Sequence, residues 1–356
     1  MKNGTKHIGL QERLRSDILG GKYGEKLPNL RELGALYDVN FKTANKAITA
    51  LVQEGLLYRQ RGKGTYVSQR RIGRSDTLGL FFGMALHAIA GTVVLFENMT
   101  AVLSEFRNKP YTLSLRPLTE GLSCADRESL AVREAEPLDG GLVIGGGTQM
   151  DDVFRRIGFP HVSLFAYPAE GVTANSIDCD DRFGAFEMTE YLIGQGHRRI
   201  AALLGAPRYI GYQLRLRGYR EALTSHGLSV DESLIKAGGS GWESGYAAMS
   251  ELLRKKHRPT AVFCFSDFRA IGAIECAKEK GLRVPEDISV VGFDGLQAAQ
   301  SATPALTTVA VPRAEVARMA LEMLLSWISD SEYRPQRKLV RPRLVIRDSA
   351  CALSEA

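Results

Sequence analysis

Lys42, Asn45, Lys46 and Thr49 recur at helical spacing, and this face carries hydrogen-bond donors and no acid. An amide beside two ammonium groups suits the edge of an adenine and the oxygens of guanine or phosphate. The opposite face holds Ala44, Ala47, Ile48 and Leu51, the apolar stripe of a buried helix. Arg61, Gly62 and Lys63 follow at the tip of a predicted hairpin, Leu56–Arg59 and Thr65–Val67. Gly62 and Gly64 permit positive φ there, and their missing side chains let the backbone approach phosphate or a minor groove.

These groups need a scaffold. Leu27-Pro28-Asn29 opens a short helix with Asn29 as its cap, and Leu33, Leu36 and Tyr37 on one face. It ends near Asp38-Val39, and Asn40 caps the next helix, the one that carries the donors. A short turn between two such helices is a helix-turn-helix, whose second member enters the major groove. Ile8 to Leu19 supplies a third helix beneath them, through Leu10, Leu14, Ile18 and Leu19.

Leu27-Pro28, Arg31-Glu32-Leu33, Val39-Asn40, Thr43, Lys46-Ala47, Leu51 to Leu57 and Gly62 to Val67 together resemble the winged-helix domain of GntR-type bacterial transcription regulators. The resemblance implies that Arg31, Lys42, Thr43, Asn45, Lys46, Arg61, Gly62 and Lys63 face DNA. The pattern departs from the family at Phe41 and Asn45, where arginines are usual, so base preference does not carry over.

Charge follows the same division. Fifteen Lys and Arg against seven acids through Thr77 give +8, which leaves −2 for the remainder of a chain whose total is +6. The cation excess lies where phosphate would be bound. The expected domains are a winged helix over 1–69, a linker over 70–77, and a large domain over 78–348.

From Leu78 onward strands and helices alternate. Leu78–Phe82, Tyr111–Leu115, Gly141–Ile144, Val162–Phe165, Arg199–Leu204, Ala261–Phe265 and Ile288–Val291 read as strands. Val93–Phe106, Phe183–Ile193, Leu214–His226, Gly245–Lys255 and Phe268–Lys280 read as helices. Such alternation predicts an α/β fold with parallel sheets, and the length predicts two lobes with a cleft at the strand carboxyl ends. Asp180 and Asp267 precede helices and read first as N-caps, and His197 as a cap of helix-end carbonyls.

Asp180-Asp181, Gly196 to Ala201, Arg215 to Tyr219, Pro259 to Phe263, Ser266-Asp267, Val284-Pro285, Asp287 to Asp294 and Pro304 to Val309 stand in the order seen in LacI-type regulators. This stretch resembles their effector-binding core, which is similar to periplasmic sugar-binding proteins of type I. The resemblance implies a two-lobed receptor with effector contacts at Arg215, Asp294 and Ser266. Ser266 stands where asparagine is usual. Trp242 reads either as a platform for a sugar face or as core packing, and Arg215 and Asp294 either as effector ligands or as each other's partner. Met84 and His87 are further candidates for the cleft.

The expectation is a repressor that binds operator DNA as a homodimer, controlled by a small effector, a sugar or sugar derivative. The rival is a sugar- or nucleotide-processing enzyme with an accessory DNA-binding head. The chain has no G-x-S-x-G, H-E-x-x-H, Walker lysine or metal-spaced cluster, so no catalytic residue, metal or cofactor is expected. Five scattered cysteines without a C-x-x-C pair, and a start without an apolar run, point to the cytoplasm. Thr77 to Phe96 carries no formal charge, but its glycines favour a buried strand and a loop over a membrane span.

Overall fold

The computed structural model describes residues 4–19, 22–24, 26–53, 57–60, 64–67, 75–83, 89–107, 109–118, 130, 133–135, 137–145, 147–167, 174–207, 209–239, 241–330 and 333–353. They form two compact units, Met1–Thr77 and Leu78–Ala356.

In the first unit, α1 (Gly4–Leu19), α2 (Leu30–Leu36) and α3 (Phe41–Gln53) precede an antiparallel hairpin, β1 (Leu57–Gln60) and β2 (Gly64–Val67). Asn29 caps α2 reciprocally: its Oδ1 accepts from the backbone N–H of Arg31 and Glu32, and Glu32 Oε2 accepts from the N–H of Asn29 at 2.8 Å. Asn40 Oδ1 accepts from the N–H of Thr43 at 2.8 Å, which starts α3 directly after the turn. Leu10, Leu14 and Ile18 of α1 are buried with Leu33, Ala44, Ala47, Ile48, Leu51 and Leu57. Each large member contributes roughly 1.5–3 kcal/mol by leaving water. Gly64 has φ +125°, as the hairpin requires. Arg61, Gly62 and Lys63 lie outside the described residues.

The second unit holds two six-stranded sheets. The first contains β3 (Thr77–Gly83), β4 (Thr112–Leu118), β5 (Gly140–Ile144), β6 (His161–Leu164), β7 (Ser176–Cys179) and β13 (Arg337–Val340), in the order β4-β3-β5-β6-β7-β13. The second contains β8 (Ile200–Leu204), β9 (Ile235–Ala237), β10 (Ala261–Cys264), β11 (Ser289–Asp294), β12 (Thr307–Ala310) and β14 (Arg343–Val345), in the order β9-β8-β10-β11-β12-β14. Along β3, Leu78, Leu80 and Phe82 join one core while Phe81 joins another with Phe154 and Phe159, the period of a strand buried on both faces. Thr77 to Phe96 is thus a sheet strand followed by the start of α4 (Ile89–Phe106). Among the described residues no helix is long and apolar enough to cross a membrane.

The seven expected strands and five expected helices are all present, with ends shifted by a few residues. Strands β7, β9, β12, β13 and β14 were not anticipated, nor were the helices α5 (Gly147–Arg156), α10 (Gln297–Ser301) and α11 (Arg313–Ser329). Among the pairings of described residues, β12 and β14 depart from the parallel expectation and run antiparallel. The chain passes between lobes between β7 and α6 (Asp181–Gly194), between β12 and α11, and between β13 and β14. Helix α11 follows a second-lobe strand yet packs on the first lobe through Val316, Ala320, Leu321 and Leu324.

Candidate functional site

The first cluster is built at strand ends. Arg215 lies on α7 (Ile210–Ser225), and its guanidinium reaches two carboxylates: Nη2 to Asp181 Oδ1 at 3.3 Å, at the start of α6 just past the crossing from β7, and Nη1 to Asp294 Oδ1 at 3.2 Å. Nη1 also donates to the carbonyl of Phe265, and the guanidinium carbon stands 3.6 Å from the Phe293 ring centroid. Asp181 follows β7 and Asp294 ends β11, so strand geometry in two sheets fixes where the acceptors stand. Asp294 has φ +125°, and Phe165 and Tyr167 also have positive φ, a concentration of backbone strain typical of a functional site. Tyr167 donates from its hydroxyl to Asp181 Oδ2 at 2.5 Å.

Burial pushes the Asp181 and Asp294 carboxyls above the ordinary carboxylate range, while Arg215 pulls both the other way. Asp267 is pushed up to about 8, first by burial and then by the charge of Asp294. Asp267 does not cap the helix it begins. Ser266 occupies the cap position of α9 (Asp267–Glu279), and the Asp267 carboxyl accepts from the backbone N–H of Leu296 at 2.7 Å and meets the Thr308 hydroxyl. It is a tie between strand ends. Asp180 does cap α6, accepting from the N–H of Phe183 at 3.0 Å.

A pH dependence follows. Folded Asp267 keeps its proton up to about pH 8, whereas the unfolded chain releases it near 3.8. The folded state therefore holds the extra proton in between, and this group's stabilisation falls as pH rises from about 4 to about 8. Asp267→Asn mimics the protonated form, so thermal melts across that window should show a shallower decline, by a few kcal/mol in total. An unchanged slope would place the titration elsewhere.

Of the expected effector residues, Arg215 and Asp294 are brought together, and Ser266 adjoins the carbonyl that Arg215 engages. Ser266 Oγ itself accepts from Arg269 at 3.2 Å. Trp242 begins α8 (Trp242–Leu253), tilts against Tyr246 and donates to Glu275 Oε2 at 2.8 Å, so its described contacts belong to the α8–α9 pair. Met84 and His87 lie outside the described residues. His197 does not cap carbonyls of a helix end. It is buried between Thr260, Ser289 and the carbonyl of Cys351, while Arg198 donates to the carbonyl of Ile193.

Sequence reading did not single out Asp181, Tyr167, Arg269 or Arg313. Arg313 donates to the carbonyl of Asp294 at 2.7 Å and to Asn98 Oδ1 at 2.9 Å, and Glu97 accepts from the N–H of Gln297 at 3.2 Å. These contacts join α4 of the first lobe to the second. Only the Asp180-Asp181 motif was visible in sequence.

The second site is the exposed face of α3. Lys42 and Lys46 are exposed, Thr43 and Asn45 half-buried, and Arg31 exposed on α2. Asn45 Oδ1 accepts from Arg59 Nη2 at 2.8 Å, and Thr49 accepts from the same nitrogen at 3.1 Å. Strand β1 thus adds Arg59 to this face.

Residues 9–67 match the model of bacterial regulatory proteins of the gntR family, and residues 189–350 that of the periplasmic binding protein-like domain. The HTH-type transcriptional repressor CytR of Escherichia coli K12 is 36% identical over 61% of this chain and 64% of its own length, so that match spans less than two thirds of CytR. The HTH-type transcriptional repressor PurR of Escherichia coli O1:K1 / APEC is 33% identical over 81% of this chain and 85% of PurR. A transcriptional regulator CelR–cellobiose complex superposes with TM-score 0.69 at 26% identity, covering 91% of this chain and all of that one. A LacI-family regulatory protein from Chloroflexus aggregans gives 0.68 at 27% over 78% and 99%. With PurR matched across most of both chains and the sensor fold shared with these regulators, the chain belongs to the LacI-type family of HTH-type transcriptional repressors, and its N-terminal unit is GntR-like.

Proposed function

We propose that the chain is a cytoplasmic, non-catalytic repressor. It binds operator DNA through a GntR-type winged helix and binds a small effector, a sugar or sugar derivative, around Arg215 and Asp294. The observation that carries the reading is the placement of Arg215 between Asp181, where the chain has just crossed from the first lobe, and Asp294, at the end of β11. A fork of donors flanked by paired acceptors suits adjacent hydroxyls of a ring. The cellobiose bound to CelR supports the ligand class.

Lys42, Thr43, Asn45, Lys46 and Arg31, with Arg61, Gly62 and Lys63 of the hairpin tip, are the proposed DNA contacts. One winged helix makes few base contacts, so a homodimer on a near-palindromic site is part of the proposal. Phe96, 61% exposed, and Leu103 on α4, with Leu115 on edge strand β4, offer apolar surface for the second copy. Effector-driven movement of the lobes, held by Arg313, Asn98 and Glu97, would alter the spacing of the two heads through residues 70–77.

The test selects duplexes from random DNA with the purified full-length chain, then repeats the mobility shift over a panel of sugars. The expected result is one near-palindromic sequence whose retention changes with one class of sugar. Recovery of no preferred sequence, or turnover of a sugar in the panel, would overturn the reading.

A further inference from the structure

We infer that the effector is an anion, a sugar acid or a sugar phosphate, and that Arg269 holds its negative group. This rests on the effector-site reading above and adds the ligand's charge to it.

Arg269, the third residue of α9, is 1% exposed and heads the largest fully buried side chains. Its described acceptors are all neutral: Nε donates to Ser244 Oγ at 3.2 Å, Nη1 to Ser266 Oγ at 3.2 Å and Nη2 to the carbonyl of Gly239 at 2.6 Å. Neighbouring arginines are matched by carboxylates, Arg215 by Asp181 and Asp294, and Arg313 by Glu97 at 3.8 Å. Among the described residues no carboxylate forms an ion pair with Arg269. A guanidinium is always charged, and a buried charge without its opposite is costly. An anion bound here would supply that opposite charge.

Position and access agree with that. Arg269 and Arg215 stand beside one ring, each guanidinium carbon 5.6 Å from the Tyr212 centroid, and they bond to adjacent residues, Arg215 to the Phe265 carbonyl and Arg269 to the Ser266 hydroxyl, so a ligand at Arg215 lies near Arg269. A Cβ on Gly239 would meet no heavy atom within 4 Å, so there is room beside the residue whose carbonyl covers Nη2. An arriving carboxylate or phosphate would replace that carbonyl. The Ser266 hydroxyl, now an acceptor, can turn to donate to it, and the Ser244 hydroxyl can exchange its present bond to the Gly241 carbonyl, 3.0 Å, for one to the anion. Ser266 makes no side-chain cap bond to α9, and Gly241 at the start of α8 has no side chain to cap with, so the N-termini of both helices add positive potential. The plainer role, a strut tying the loop before α8 to α9, predicts no charge preference.

The test uses full-length protein and matched ligands: glucose, glucuronate and glucose 6-phosphate; galactose and galacturonate; ribose and ribose 5-phosphate. Calorimetry at low and high ionic strength reads affinity. A charged member should bind about tenfold to hundredfold tighter than its neutral partner, and less tightly in salt. Which arm responds separates a carboxylate from a phosphate. Arg269→Met should erase the preference and Arg269→Lys keep part of it. A preference that survives in Arg269→Met overturns the assignment. Equal binding of neutral and charged members overturns the inference and leaves the sugar-sensor reading intact, and no binding by any member overturns both. Should the methionine variant fail to fold, the wild-type pairs decide.

Discussion

Arg215→Met leaves the large unit about 3–5 kcal/mol less stable and the DNA complex unresponsive to effector. The substitution keeps much of the volume that lies on the Phe293 ring and removes only the charged fork. Asp181 and Asp294 then stay buried with their guanidinium gone, 1% and 7% exposed in their side chains. Each has two ways to respond, to take up a proton or to open the structure to water. Both carboxyls are already raised by burial, and loss of Arg215 raises them further. The sign of the pH dependence follows. A carboxyl raised in the folded state favours folding at low pH and disfavours it as pH rises through the raised value. The variant's deficit should therefore be smallest near pH 4 and grow toward neutrality, measured as denaturant midpoints at several pH values. Operator affinity without effector should stay near wild type. A variant that still releases DNA with effector would remove Arg215 from the site.

The two helices of the helix-turn-helix were legible because local chemistry decides them. Asn29 and Asn40 cap, Ala44, Ala47, Ile48 and Leu51 face inward, and no distant contact overrides these preferences. The seven expected strands were legible for the same reason, since apolar runs such as Leu78 to Phe82 are buried on both faces. Strands β7 and β12 were not legible. Asp178, Thr307 and Thr308 are buried polar residues whose side-chain partners come from elsewhere in the chain, and Ser176 is buried too, so these four-residue segments carry no apolar period. Basic β13 and β14 become strands only because sheet edges await them.

The cluster divides in the same way. Arg215 and Asp294, far apart in sequence, were reached through family resemblance, whereas Asp181 and Arg313 acquire partners only where the chain crosses between lobes. Asp267 misled because an acid before an apolar helix is usually its cap. Here Ser266 takes the extended position and leaves the Asp267 carboxyl free to tie β12 to the segment after β11.

Lys42→Ala with Lys46→Ala should cost at least about tenfold in operator affinity and lower the salt slope of log K by about 2. Both side chains are exposed on α3, opposite the Ala44, Ala47, Ile48 and Leu51 core, so their removal exposes no apolar surface and opens no cavity. Neither has a described ion pair, so the folded head loses no internal contact, and its melting temperature should hold. What disappears is release of counterions from phosphate, which acts on every sequence alike. Loss should therefore be nearly equal for operator and unrelated duplex, and greatest at low salt. Asn45→Ala provides the contrast. Its Oδ1 is engaged by Arg59, while its amide N–H groups have no described partner and can reach an acceptor on a base edge. Asn45→Ala should weaken operator more than unrelated DNA and leave the salt slope unchanged. Fluorescence anisotropy titrations over a salt series distinguish the two. Equal salt slopes for wild type and the double lysine variant would mean that another face of the head meets the phosphates.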